Sequence, residues 1–196
     1  MPYEELKNTG VTAKTPSNIL LGAGTIHKGL TFTSNAWNFS TSLIGATSGG
    51  TKLTLKPELM DIELDGANVK AKGLTVKTGE TAVMEINFAE LTPDILALST
   101  IGTAAASTDY TGYQEIKSRA QIKTGDYVAD LAFVGKTVDG KPIIILFDNA
   151  LCTSGFEIEG KSKENGVLKL TFECYADLGG NLDTLPYRIL YPTEVL

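Results

Sequence analysis

A chain of 196 residues with 42% hydrophobic and 20% charged residues suits one domain with its own core and excludes a disordered or fibrous protein. A net charge of −6 with no basic run lacks the electrostatic footprint of a conventional nucleic-acid binder. One histidine, His27, and two cysteines, Cys152 and Cys174, leave no residues for a histidine metal cluster, a CxxC-type zinc site or a disulfide framework.

Residues 1–17 are polar and follow neither helical nor strand periodicity, which predicts an N-terminal arm. This stretch lacks the apolar segment of a secretory signal, and no run approaches about 18 apolar residues, so no membrane insertion is expected. Short strands are expected at Ile19–Ala23 and Leu30–Thr33. A long loop follows over 34–57, glycine-rich in its middle and carrying Trp37 and Phe39. Lys52–Lys56 alternates within it, and Met60–Asp65 alternates after it, with apolar residues on even positions and acids on odd ones. Such alternation predicts half-buried strands with one wet face. Asp65-Gly66 marks a turn, alternation resumes at Val69–Lys72, and Ala82–Leu91 reads as a longer strand.

Thr92-Pro93-Asp94 opens a helix over about 92–101: a cap, a proline suited to the first turn, and an acid at the positive helix end. Residues 103–111 are small and polar and read as a loop. Strands are expected at 114–123, 126–136, 142–151, 155–161 and 167–176. Asp139-Gly140 and Asn165-Gly166 are two-residue hairpin signals. Residues 183–196, with two prolines, two tyrosines and several aliphatics, predict a C-terminal arm. The sum is an all-β domain over 18–182, a sandwich or small barrel with one flanking helix, between two arms.

No chemistry-bearing motif emerges. GAG at 22–24 has His27 where the third glycine of a dinucleotide fingerprint belongs, and GATSGGTK at 45–52 leads into a strand where a phosphate loop requires a helix. The carboxylates are spread along strand faces, without the spacing of a calcium loop or a recognisable glycosidase pair. The cysteines, in strands among apolar neighbours, read as buried free thiols, which suits a reducing compartment. These observations predict a non-enzymatic protein without metal or cofactor, acting through surfaces and edges.

Ile44-Gly45-Ala46-Thr47-Ser48-Gly49-Gly50, then Pro57-Glu58-Leu59, Ile62–Gly66, and Val83–Leu98 ending in ELTPDILA, resemble the tail tube (major tail) proteins of long-tailed bacteriophages, of the siphophage kind. ILLGAGTIHKG upstream resembles the opening strand of such proteins. The resemblance implies a tail-tube β-sandwich or barrel whose copies form hexameric rings, stacked into a hollow conduit for DNA passage into the host. It implies assembly in the bacterial cytoplasm into the virion tail, with the tail tip or baseplate, tape measure and tail terminator proteins as partners. Double-stranded DNA would pass without specific binding.

Six copies at −6 each would give roughly −36 per ring, and a negative lumen would repel phosphates. Asp61, Glu63 and Asp65 are the candidate lumen-facing strip. Trp37, Phe39, Ile44, Gly45, Gly49, Gly50, Tyr187 and Tyr191 are the candidate inter-subunit and ring-stacking residues, the aromatics because they dominate interface energies. The alternative is a β-sandwich module of a phage baseplate that binds carbohydrate or a cell-surface ligand, which would need several aromatics exposed on one face.

Overall fold

The structure, a computed structural model, describes residues 9–158, 163 and 165–193. In chain order the elements are α1 (Thr15–Asn18), β1 (Leu20–His27), β2 (Phe32–Thr33), β3 (Ala36–Trp37), α2 (Phe39–Ser42), β4 (Thr47–Asp61), β5 (Thr75–Phe88), α3 (Pro93–Ser99), β6 (Gly102–Ala106), β7 (Gln114–Ser118), a 3-10 turn at Thr124–Asp126, β8 (Val128–Thr137), β9 (Pro142–Cys152), β10 (Leu168–Cys174) and β11 (Tyr187–Leu190). The fold is mainly β, as the alternation predicts.

One antiparallel sheet organises the domain, in the order β1-β8-β9-β10-β5-β4. Strand β11 also pairs with β9, so the two halves of β9 have different neighbours on the same side: Ile144–Phe147 meets β11 and Ala150–Cys152 meets β10. The sheet bends at this change of partner. In both β8 and β9 the inward positions change parity at Asp130 and Asp148: Val128, Leu131 and Phe133 point to the core from β8, and Phe147, Ala150 and Cys152 from β9. Asp130 sits at the bend with φ +49°, a left-handed conformation that aspartate tolerates better than most side chains.

The bend folds the sheet over its apolar face. Met84, Ile86 and Phe88 of β5 and Leu168, Leu170 and Phe172 of β10 pack against Ile26, Leu131, Phe133 and Phe147, all buried. Helix α3 seats Ile95 in this core, 1% exposed. The Thr92 Oγ1 caps the helix by accepting from the Ile95 backbone N–H at 3.3 Å, as the sequence predicts. A second apolar cluster lies on the opposite face of β8–β9: Ala132, Ile144 and Leu146, roofed by Leu30, Trp37 and Phe39 and flanked by Leu190.

Several boundaries differ from expectation. Strand β4 begins inside the expected 34–57 loop, which also holds β3 and α2. Strand β5 starts at Thr75 rather than Ala82, because it pairs with β4 well beyond the compact body. Residues Val69–Lys72 form no strand, and Gly102–Ala106, most of it in the stretch 103–111 read as loop, pairs with Gln114–Ser118 as a small separate hairpin. At Asp139-Gly140 only Gly140 has positive φ, and Thr137 N–H donates to the Lys141 carbonyl at 2.9 Å. The connection is therefore a three-residue loop with a left-handed glycine, not a two-residue type I′ turn. The strand expected at 155–161 reduces, within the described residues, to a bridge between Ile158 and Leu168. The segment 183–196 contains β11, so that part of the expected arm is integral to the sheet.

Cys152 and Cys174 are buried free thiols on adjacent strands, offset by two residues. Burial raises the Cys152 thiol and pushes Cys174 up to about 12, so neither is a ready nucleophile at neutral pH.

Candidate assembly surfaces

The two outer strands of the sheet, β1 and β4, each leave one edge unpaired over most of their length. The end of β1 is clasped by residues 42–44, which lead into β4. Lys28 N–H donates to the Ser42 carbonyl at 2.8 Å, Ile44 N–H donates to the Ile26 carbonyl at 3.2 Å, and His27 bridges Leu43. Beyond this clasp no ladder joins β1 to β4, so the curled sheet stays open. An open antiparallel edge presents backbone donors and acceptors that must meet water or another strand.

A hydrogen-bonded cluster secures the clasp. His27 is 3% exposed; its Nδ1 lies 2.9 Å from Ser42 Oγ and its Nε2 lies 2.9 Å from Thr25 Oγ1. Ser42 Oγ donates onward to the Asn38 carbonyl at 2.8 Å. This serine–histidine pair has no carboxylate behind it, and both side chains are buried, so its geometry is that of a structural link. Burial lowers the imidazole pKa. The unfolded chain, with an ordinary histidine near 6.5, then binds more protons than the folded one as pH falls through that value. His27 therefore contributes fully above about pH 6.5 and loses its contribution below it. Thermal melts at pH 7.5 and 5.5 should show a smaller acid destabilisation for His27→Gln than for the unaltered chain; equal pH dependence would refute this.

The second feature is a projecting hairpin. Strand β10 pairs with β5 only from Val83 to Phe88, whereas β4 and β5 stay paired out to Asp61 and Thr75. Residues 59–78 thus extend past the body, and none of them is buried. The hairpin tip is ordered by its own contacts. Ile62 N–H donates to the Leu74 carbonyl at 2.7 Å, a turn closes from Leu64 to Ala67, and Lys70 Nζ lies 2.5 Å from Asp61 Oδ2. The Lys70 hydrogen bond, seconded by Thr75, lowers the Asp61 pKa. Its surface nonetheless exposes Leu59, Met60, Ile62, Leu64, Val69 and Val76. Six exposed apolar side chains on one narrow projection mark it as a contact element.

The third feature is the bare outer face of β4-β5-β10. The inward alternation of Leu53, Leu55, Met84, Ile86, Leu170 and Phe172 turns Lys52, Lys56, Glu58, Glu85, Lys169 and Glu173 outward. Glu85 binds Lys52 at 2.5 Å and Lys169 at 2.9 Å, one from each flanking strand. These two lysines hold its carboxyl down to about 2.

The residues proposed from sequence fall in different places. Trp37 and Phe39, half-buried, pack face to face with centroids 6.1 Å apart over their own sheet, while Phe32, lying on Trp37 at 5.0 Å, is exposed. Ile44 packs against the main core. A Cβ at Gly45 would meet Ile95 Cδ1 at 3.1 Å. Gly49 and Gly50 lie in the bulge of β4 between Thr47 and Thr51. Tyr187 packs against the core, and Tyr191, exposed, donates its hydroxyl to Asn18 Oδ1, tying the two terminal segments together. Asp61, Glu63 and Asp65 lie at the hairpin tip, away from the Glu85 face.

Sequence reasoning did not single out the hairpin's apolar residues or the Glu85 pair of contacts. The alternation at Met60–Leu64 was visible, but it reads as a strand over a core, and no core lies beneath it. Among the described residues, no group of three or more His, Cys, Asp or Glu side chains is placed to hold a metal, and no helix is long and apolar enough to cross a membrane.

No protein-family model matches this chain, and no curated protein matches it. Several solved structures are similar to it, two of them from gene transfer agent particles. The tail of an empty gene transfer agent particle, of C6 symmetry, is 12% identical over 87% of this chain and 96% of that chain, with a TM-score of 0.43. The virion of a native gene transfer agent particle is 12% identical over 79% and 92%, with a TM-score of 0.40.

Proposed function

We propose that this chain is a structural subunit of a phage-type tail tube, forming six-membered rings that stack into a hollow conduit for DNA. The observation that carries this reading is the union of two open edges on one curled sheet with a projecting apolar hairpin. A heterologous contact between the β1 side of one copy and the β4 side of the next satisfies both edges, and such a contact, repeated, closes a ring. The hairpin then reaches out of its ring to bury its apolar residues on the neighbouring ring. In this arrangement the bare β4-β5-β10 face lines the channel, and Asp61, Glu63 and Asp65 fall at the junction between rings. Tail tip, tape measure and terminator proteins are the partners, and the assembled virion tail is the location.

The half-burial of Trp37 and Phe39 weighs against the carbohydrate-module alternative, because it removes them from the aromatic platform that glycan binding needs. Negative-stain electron microscopy of the concentrated protein tests the proposal, with and without a tail-tip initiator. Stacked rings or hollow tubes are expected. Discrete particles under both conditions would overturn it.

A further inference from the structure

The chain carries −6, yet the outer face of β4-β5-β10 is balanced: Lys52, Lys56 and Lys169 stand against Glu58, Glu85 and Glu173. The balance is not evenly shared. Glu173 accepts from Thr153 Oγ1 at 3.0 Å, and Glu58 accepts from Thr81 Oγ1 at 3.3 Å. Of these three carboxylates, Glu85 engages lysines, and it engages two, through separate carboxylate oxygens. Lys52 lies directly across the β4–β5 ladder from it, and Lys169 diagonally across the β10–β5 ladder, both within cross-strand reach. Both lysines are otherwise well exposed, at 70% and 63%.

We propose that Glu85 is a masking carboxylate that keeps this sheet face from binding polyanions, double-stranded DNA in particular. The proposal rests on the reading that this face lines a DNA channel. Lysines two strands apart lie within the span of successive phosphates along a duplex. Freed from a carboxylate, each offers the charge that drives sequence-independent binding through counterion release. A surface repeated around a channel would multiply such contacts and stall the strand. With one carboxylate shared between two ammonium groups, the trio carries +1 instead of +2 and each lysine is held on a carboxylate oxygen instead of standing free. The two ion pairs also span three strands on the wet side of the sheet. The depressed Glu85 carboxyl keeps the mask ionised at neutral pH.

The test compares Glu85→Gln with Glu173→Gln, which changes net charge equally but releases no lysine. Binding of a short fluorescent DNA duplex to the soluble chain is followed by anisotropy as a function of salt, with circular dichroism to verify folding. Glu85→Gln should bind at least about tenfold tighter than the unaltered chain at low salt, with the salt slope steeper by about one to two. Glu173→Gln should behave as the unaltered chain does. Adding Lys52→Gln and Lys169→Gln to Glu85→Gln should abolish the gain. Equal gains in the two single variants would show a net-charge effect and overturn the mask, as would no gain in Glu85→Gln. Micrographs of the same samples keep the two readings apart. If the unaltered chain forms no tubes with an initiator, the conduit fails, while the DNA measurement still decides the role of Glu85.

Discussion

Replacing residues 59–78 by a two-residue Asn-Gly turn between Glu58 and Gly79 leaves a folded subunit that no longer stacks. Glu58 and Gly79 are directly paired in the β4–β5 ladder, so a tight turn closes the shortened hairpin in its existing register. None of the excised residues is buried; the deletion removes the exposed Lys70–Asp61 pair and the Lys77 partner of Glu80, whose side chain is 9% exposed and keeps its hydrogen bond from the Leu185 backbone N–H. Exposed pairs contribute about 0–1 kcal/mol each, and the hairpin buries no core. The melting temperature should therefore move by no more than a few degrees. Assembly should respond in the opposite way, because the hairpin carries six exposed apolar side chains whose burial on a neighbouring ring is the proposed stacking contact. Isolated rings or monomers are expected by electron microscopy with an initiator present. Full-length tubes from the shortened chain would remove the hairpin from the stacking interface.

The second large effect is at Gly24. This glycine stands in the irregular stretch of β1 between Leu21 and Thr25, with φ +71°. A Cβ there would lie 2.3 Å from Phe133 Cε2 and 3.0 Å from the Val134 carbonyl oxygen. Phe133 is a core side chain, 4% exposed, and the carbonyl belongs to the β1–β8 ladder, so neither can retreat cheaply. Gly24→Ala thus combines left-handed strain of about 1 kcal/mol with overpacking of about 1–3 kcal/mol. Gly22 supplies the control: its φ is +81°, but a methyl group there would meet nothing within 4 Å. Gly22→Ala should cost about 1 kcal/mol and lower the melting temperature by about 2–4 °C, whereas Gly24→Ala should lower it by roughly 6–12 °C. Equal shifts in the two variants would show that the Phe133 contact relaxes freely. The two changes share the backbone strain and differ in the clash, so their difference isolates the packing component.

The all-β class, the capped helix at Thr92, the strands β8, β9 and β10, and the buried thiols were legible in the sequence because each rests on local signals. Alternation shows which residues a strand can bury, and a cap or a Gly-containing turn shows where a strand or helix stops. Alternation does not show whether anything lies beneath. Met60, Ile62 and Leu64 have the pattern of a half-buried strand, and the structure leaves all three exposed, because β10 ends its pairing at Val83 and supplies no third strand there. The same limit explains Trp37 and Phe39. A polar loop with two aromatics is compatible with a binding site or with a roof over the chain's own sheet, and only the position of Ala132, Ile144 and Leu146 makes it a roof.

The arrangement of charges was equally hidden. Lys52, Glu85 and Lys169 are separated by 33 and 84 residues in sequence, and their contact exists only through the strand order β4-β5-β10. The open edges of β1 and β4 are likewise a property of that order. By itself the sequence determined which segments become strands and which side chains could be buried, since those follow from period and composition. Only the tertiary structure decided which strands stand at the edge, how far the hairpin projects and which charges share a face, because those depend on long-range pairing that no local pattern encodes.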